Sequence, residues 1–229
     1  MHSPRPAPAA PPVSRRTSAP ARATAILAAL SAALLALVAA GWSPLLSFDR
    51  SVAGALHRSA VTEPGFVQVN RVLTDWFWDP WTMRALMAAA VVWLWWRRDR
   101  VFAAWIAATA VLSALLQQVL KWAVGRERPQ WTDPVDSAHF AAFPSGHAMT
   151  ATVACGLLLW VLARRGVRSG PRWWWSVAAA AVSVLGVGLT RLYLGVHWPT
   201  DVLAGWLMGA CCVTLAITLY GRTVLSRSR

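Results

Sequence analysis

Apolar residues along this chain collect in six long runs that are separated by shorter polar segments. The runs cover residues 23–41, 81–96, 101–124, 148–163, 173–189 and 202–220. A helix needs about 20 apolar residues to cross a bilayer. The fourth run reaches that length when its helix begins at Ser145. The pattern therefore predicts an all-α fold, a bundle of six transmembrane helices.

The segments outside these runs have a different character. Residues 1–22 are rich in Pro, Ala and Arg and have no apolar period, which is typical of a disordered tail. Arginines before the first run could instead mark a signal peptide, but the length of the run favours a retained helix. A mixed segment at 42–80 contains amphipathic stretches at 48–60 and 65–77, which predict an interfacial cap on the bundle.

The chain accordingly divides into four parts. We expect a basic cytoplasmic tail at 1–22, a first helix with the amphipathic segment at 23–80, a core of five helices at 81–220 and a basic cytoplasmic tail at 221–229. No spacing of polar residues in the amphipathic segment, His57 included, indicates chemistry.

Composition supports a lipid environment. The chain is 57% apolar and only 14% charged, yet its net charge is +13. A soluble nucleic-acid binder can be this basic, but it would not contain several long uncharged runs, so we expect no nucleic-acid partner. Three cysteines lie inside apolar stretches without metal-ligand spacing, and we predict neither a metal nor a cofactor.

The positive charge is distributed unevenly along the chain. With six spans and the N-terminus inside, the inner segments hold 14 of the 22 basic residues and one of the nine acidic residues. The inner side then carries +13 and the outer side is neutral, as the positive-inside rule requires. High Ala, Arg and Trp with one Lys suggest a GC-rich bacterial genome. We therefore expect a plasma-membrane protein with both termini in the cytoplasm.

Two clusters of polar residues flank the third and fourth runs. Lys121 and Arg128 are seven residues apart, about two helical turns, and could face the same side. Alternatively, both are interfacial charges that reach the headgroups. Ser145 is placed to cap a helix whose free N–H groups favour an anion, with Gly146 and His147 beside it. A plain capped helix with a surface histidine is the alternative.

A third cluster lies between the fifth and sixth runs. His197 and Asp201 are four residues apart, so they share a face of a helix, and Arg191 precedes them. A carboxylate held against one ring nitrogen leaves the other free to attack. An ion pair that only closes a helix start is the alternative. On the predicted topology all three clusters lie at the outer face, where ionisable residues at membrane depth are usually functional.

Together these motifs resemble the type 2 phosphatidic acid phosphatase (PAP2) superfamily, which includes the vanadium haloperoxidases. The family patterns are K-x6-R-P, P-S-G-H and S-R-x5-H-x3-D. This chain matches them over roughly residues 80–220, except that Thr190 stands where the family usually has Ser. A hydroxyl is kept, so we expect little effect on activity.

The resemblance implies a metal-independent phosphatase that works through a phosphohistidine. His197 would attack phosphorus, Asp201 would orient His197, and His147 would protonate the leaving oxygen. The residues implied to bind the phosphoryl group are Lys121, Arg128, Ser145, Gly146 and Arg191.

The substrate implied is a membrane lipid phosphate, and the sequence does not distinguish among several. A broad phosphatase for phosphatidic acid-like lipids is our first expectation. An isoprenoid diphosphate phosphatase, acting for example on undecaprenyl diphosphate, is the alternative. A non-catalytic protein that binds or transports lipid phosphates is a third possibility, which the presence of His147, His197 and Asp201 disfavours.

Overall fold

The computed structural model describes residues 15–227 of the chain, with side chains described for residues 19–223. Regular structure in that range is helical. The elements are α1 (Arg15–Ala39), α2 (Ser43–Thr62), α3 (Pro64–Val72), a π-helical turn (Leu73–Phe77), α4 (Pro80–Trp96), α5 (Arg100–Val124), α6 (Gly146–Arg164), α7 (Gly170–Tyr193) and α8 (Pro199–Arg227).

Within the described range, five helices are long and apolar enough to cross a membrane: α1, α5, α6, α7 and α8. Their outer surfaces carry large apolar side chains that water would not tolerate in such numbers. On α5 alone, Val111, Leu112, Leu115 and Val119 are each more than half exposed. The chain is therefore an integral membrane protein. Helix α4, the second predicted span, is apolar but has only 17 residues.

Both ends of the bundle are more helical than predicted. Helix α1 begins at Arg15, so residues 15–22 are helical and not a disordered tail. Ala and Arg are among the strongest helix formers, and here they extend the first span backwards. The predicted disorder of residues 1–14 lies outside the described residues. Helix α8 likewise continues to Arg227, through most of the predicted C-terminal tail.

The amphipathic segment folds into α2, α3 and the π-helical turn. Its buried residues on α2 are Asp49, Ala53, His57 and Ala60, which form one stripe at helical spacing. This stripe packs against α7 and α8. The segment is therefore a helical cover over one end of the bundle, and it brings one buried carboxylate with it.

Helix α6 lies at the centre of the bundle and contacts α4, α5, α7 and α8. Two glycines on α8 allow the closest of these approaches. A Cβ on Gly205 would lie 2.8 Å from the Ser145 carbonyl oxygen, and one on Gly209 would lie 3.0 Å from the Met149 carbonyl oxygen. The backbone N–H of Ser145 also donates to the Asp201 carbonyl at 2.9 Å. The starts of α6 and α8 are thereby fixed side by side.

Candidate active site

The three predicted clusters converge at one end of the bundle. Lys121 lies in the last turn of α5, Arg191 in the last turn of α7, and Arg128 and His197 in the loops that follow these helices. These four side chains, together with Gly146 and His147 at the start of α6, line a cavity of about 530 Å³. Separate helix ends thus form one site.

His197 is buried beside Asp201. Its Nδ1 lies 3.4 Å from Asp201 Oδ2, and Trp198 N–H donates to the same oxygen at 2.9 Å. A carboxylate at Nδ1 favours the tautomer with the proton on that nitrogen. The lone pair is then on Nε2, which lies 3.1 Å from Arg128 Nη1 and accepts from it.

The surroundings of His197 keep its imidazole neutral. The ring lies in the loop outside the membrane-spanning helices, and burial lowers its pKa well below 6.5. The positive charges of Arg128, Arg191 and Lys121 lower the pKa further. A neutral imidazole is the form that can attack phosphorus.

The loop that carries His197 depends on a glycine and a tryptophan. Gly195 has a φ of +68°, a left-handed conformation that favours glycine. A Cβ at this position would lie 2.7 Å from Trp131 Nε1. That indole N–H instead donates to the Gly195 carbonyl at 2.8 Å, and its ring stacks on His57. Trp131 therefore links the loop that carries His197 to His57 of the helical cover.

Carbonyl oxygens of the loop between α5 and α6 contact two of the cations. Lys121 Nζ donates to the Ala141 carbonyl. Arg128 donates from Nε to the Phe140 carbonyl at 2.9 Å and from Nη2 to the His139 carbonyl at 3.0 Å. Burial, followed by the charge of Arg191, lowers the pKa of Arg128 to about 10, so Arg128 remains protonated at neutral pH.

Two buried donors in the site have no hydrogen-bond partner among the described residues. They are Ser145 Oγ and Arg191 Nε. The third cation, Arg191, reaches only Asp136, at a distance of 3.8 Å. An unpaired buried donor costs free energy, and because Arg191 lines the cavity its donor indicates a ligand that supplies acceptors there. Ser145 is not a lining residue itself but directly precedes Gly146, which is. A phosphoryl group, with its several oxygens, fits this set.

The start of α6 agrees with the sequence prediction in part. Ser145 is the N-cap residue as predicted, but its side chain makes no capping hydrogen bond. Its hydroxyl has no hydrogen-bond partner among the described residues. Gly146 begins the helix close to Gln117, whose Nε2 would lie 2.9 Å from an added Cβ. His147 follows in the first turn, half-buried at the cavity wall.

Sequence reasoning missed an ionic cluster behind His197. Arg126 Nη1 lies 2.6 Å from Asp201 Oδ1, and Arg126 Nη2 lies 2.6 Å from Asp49 Oδ2. Asp49 comes from the amphipathic segment, far away in sequence. The one available signal was its position: a carboxylate on the buried stripe of an amphipathic helix must have a partner.

An apolar groove adjoins the polar cavity. It has a volume of about 420 Å³ and runs between α4, α5 and α6. Small residues on α5, among them Ala107 and Ala110, leave the space. Arg84 and Gln117 line both the groove and the polar cavity, so the two spaces meet.

Comparisons with known proteins agree with these motifs. The family model described as the PAP2 superfamily matches residues 102–224. An undecaprenyl-diphosphatase of Sulfolobus acidocaldarius is 30% identical over 129 residues, covering 54% of this chain and 57% of the relative. Phosphatidylglycerophosphatase B of Bacillus subtilis is 38% identical over 96 residues, covering 42% and 46%. The chain therefore spans about half the length of these two relatives.

Two further likenesses extend over more of the chain. A decaprenylphosphoryl-5-phosphoribose phosphatase of Mycobacterium tuberculosis is 29% identical over 182 residues, covering 76% of this chain and 92% of the relative. The crystal structure of a transmembrane PAP2 type phosphatidylglycerolphosphate phosphatase from Bacillus subtilis superimposes with a TM-score of 0.73. It covers 89% of this chain and 96% of that one at 23% sequence identity, which shows a shared fold.

Proposed function

This chain belongs to the PAP2 superfamily, and we propose that it is a membrane phosphatase that hydrolyses lipid phosphate monoesters through a phosphohistidine. One observation carries the proposal. A buried, neutral His197 lies against Asp201 in a cavity whose three cations, one of them Arg191 with an unpaired buried donor, suit a phosphoryl group. Relatives named as lipid or isoprenoid phosphatases support the same reaction class.

In the proposed first step, the lone pair on His197 Nε2 forms a bond to phosphorus while the phosphorus–oxygen bond to the lipid breaks. His147 gives its proton to the departing oxygen. Arg128, which donates to Nε2 without substrate, donates to a phosphoryl oxygen instead. Asp201 stabilises the positive charge that develops on the imidazole.

In the second step, water attacks the phosphohistidine. His147, now neutral, removes a proton from the water, the phosphorus–nitrogen bond breaks, and its electron pair returns to His197. Lys121, Arg128 and Arg191 hold the phosphoryl oxygens in both steps. Hydrogen bonds to charged groups contribute about 1.5–3 kcal/mol each, so several that strengthen in the transition state can serve without a metal ion.

The apolar groove supports a lipid as the substrate. Since it meets the polar cavity at Arg84 and Gln117, a molecule with its phosphate among the cations can extend a hydrocarbon chain between α4 and α5. The groove also adjoins lipid-facing α5 surface, from which a membrane lipid can enter sideways.

Three carboxylates favour a monoester over a diphosphate. Asp75, Asp79 and Asp136 line the same polar cavity, Asp136 at 3.8 Å from Arg191. Burial and the neighbouring Asp136 raise the pKa of Asp75, and the charge of Arg191 lowers it in part. A second phosphate in the leaving group would add negative charge there, whereas hydroxyl groups would find acceptors. Isoprenoid diphosphate hydrolysis remains the second candidate, because one relative is an undecaprenyl-diphosphatase.

Phosphate release from the purified full chain in detergent tests the proposal. The substrates are phosphatidic acid, phosphatidylglycerol phosphate and an isoprenoid diphosphate, all in excess EDTA. We expect release from the monoesters at full rate in EDTA, slower release from the diphosphate, and loss of release in His197→Asn. A wild-type chain that binds these lipids without turnover would instead make it a lipid-phosphate binding protein.

We also propose the orientation in the membrane. The charge distribution of the sequence and the five long helices together support six spans, with α4 as the short one. Both termini would then be cytoplasmic, and the cavity would open at the outer face of the plasma membrane.

A further inference from the structure

Asp49 is a buried carboxylate that no motif of the catalytic core includes. It lies on α2, in the helical cover, and is only 1% exposed. Its Oδ1 accepts from the Thr200 backbone N–H at 3.0 Å, and its Oδ2 accepts from the Thr200 hydroxyl. Its Oδ2 also pairs with Arg126 Nη2 at 2.6 Å. A carboxylate so fully bonded fixes the start of α8 and Arg126 together.

Arg126 joins Asp49 to the histidine pair. Its other terminal nitrogen donates to Asp201 Oδ1 at 2.6 Å and to the Thr200 hydroxyl at 2.7 Å. Asp201 uses its second oxygen for Trp198 N–H and for His197 Nδ1. The order is therefore Asp49, Arg126, Asp201 and His197, each in direct contact with the next.

The charges along this order matter because the side chains are buried: Arg126 is 12% exposed, Asp49 1% and Asp201 not at all. An arginine paired with Asp201 alone would neutralise that carboxylate and weaken its hold on the imidazole. Asp49 supplies a second negative charge, so that the cluster of two carboxylates and one guanidinium keeps a net charge of about −1 behind His197. In a low-dielectric surrounding a charge at this range has a large effect.

We propose that Asp49 is a positioning residue for the nucleophile: by balancing Arg126, it leaves the Asp201 carboxylate negatively charged toward His197. The inference rests on the proposed function, since it assigns His197 the attack. Asp49 touches neither substrate nor the reacting atoms, and it acts through Arg126 and Asp201.

The groups that face His197 come from every element packed around it. Lys121 comes from α5, Arg128 from the following loop, His147 from α6 and Arg191 from α7. Among the described residues, Asp201 from α8 is the carboxylate in contact with the ring. All the cations oppose a positive charge on the ring. Asp201, with Asp49 behind it, is the balancing influence that makes the phosphohistidine accessible.

Asp49→Asn tests the inference because it keeps the size and an acceptor oxygen but removes the charge. We expect kcat to fall by roughly 10- to 100-fold, the effect of weakening one charge-assisted contact. We expect KM to change little, because the phosphate ligands are untouched. Removing a negative charge lowers the pKa of His197, so the acid limb of the kcat/KM profile that is the same for two substrates of different second pKa, and is therefore due to the enzyme, should move to lower pH.

Arg126→Gln should shift the pKa of His197 in the opposite direction. Loss of its positive charge raises the pKa of His197, so the acid limb should move to higher pH. The double variant Asp49→Asn, Arg126→Gln removes one charge of each sign and should return the limb close to the wild-type position. The double variant also avoids leaving an unpaired buried charge, which can prevent folding.

Asp99→Asn is the matched control, because it too removes a carboxylate paired with an arginine, Arg165, but outside this cluster. We expect wild-type kinetics from it. Wild-type kcat and an unmoved limb in Asp49→Asn would overturn the inference while the proposed function stands. A lower kcat with no limb movement in any variant would show a merely structural role and also overturn it. Absence of turnover by the wild-type chain would overturn both.

Discussion

At His197, burial and neighbouring charge act in the same direction. Both lower the pKa of the imidazole below its ordinary 6.5, and the attacking form is therefore present at neutral pH without a general base. The same cations that hold the phosphoryl group thus prepare the nucleophile. Asp201, through its contact with Nδ1, supplies the opposing negative charge when the ring becomes positive.

The pH profile should reflect this arrangement. Protonation of His197 inactivates the free enzyme only below its lowered pKa, so we expect kcat/KM to lose no activity through this group until well below pH 6.5. The measurement is kcat/KM against pH in detergent with two lipid phosphates of different second pKa. Phosphate monoesters titrate near pH 6, so an acid limb caused by the substrate would lie at a different pH for each of the two lipid phosphates. An acid limb above pH 6.5 that is the same for both substrates would contradict the prediction.

The residues predicted from sequence are those that short motifs place side by side. Arg191, His197 and Asp201 lie within one loop and one helix turn, so spacing alone indicated their geometry. Asp49 on α2 and Arg126 in the loop after α5 are 77 residues apart and meet through tertiary packing, which spacing cannot express. Ser145 is the N-cap residue but makes no capping hydrogen bond, because residue preference at an N-cap predicts the position and not the direction in which the hydroxyl points.

Among the elements, the contact between α6 and α8 sets the geometry of the site. Gly205 lets the α8 backbone approach Ser145, and the Ser145 N–H then bonds to Asp201. Small residues allow such close approach between membrane helices. The order of the helices could be predicted from the apolar runs. The distance between the α8 backbone and Ser145 could not, because it depends on which residues of the two helices face each other, and a hydropathy pattern does not give that.

Gly205→Ala should therefore disturb both stability and catalysis. Its Cβ would lie 2.8 Å from the Ser145 carbonyl oxygen and 3.0 Å from Met149 N, both backbone atoms that cannot rotate away. We expect a lower melting temperature in detergent and a lower kcat. Gly221→Ala, in the same helix with nothing within 4 Å, is the control and should be neutral or slightly stabilising. Equal melting temperatures for the two variants would contradict the prediction.

The apolar groove beside α5 should bind the hydrocarbon chain of the substrate. Ala107 lines the groove, and the next residue, Ala108, is exposed on the lipid-facing surface. Ala107→Trp should fill the groove and raise KM for long-chain lipid phosphates, while kinetics with a short-chain soluble phosphate stay unchanged. Ala108→Trp adds the same side chain outside the groove and should behave as wild type. An equal effect of Ala107→Trp on both substrates would mean that no chain occupies the groove.

For the whole molecule, charge and structure give complementary information. Hydropathy and length identify five helices as membrane spans, whereas α4 falls short on length alone. The charge distribution of the sequence favours a crossing α4, because otherwise the basic segments at 1–22 and 97–100 would lie on opposite sides. A short span of this kind is compatible with local thinning of the bilayer. The proposed orientation therefore rests on the charge distribution of the sequence.

Cysteine labelling in intact cells can test this orientation. The background is a chain in which Cys155, Cys211 and Cys212 are replaced by alanine and phosphatase activity is retained. Gln130 and Ser169 are both exposed, and the charge argument places them on opposite sides of the membrane. A membrane-impermeant maleimide should label Gln130→Cys in intact cells and Ser169→Cys only after permeabilisation. Since α6 is the helix between these two positions, labelling of both from outside would mean that α6 does not cross the bilayer.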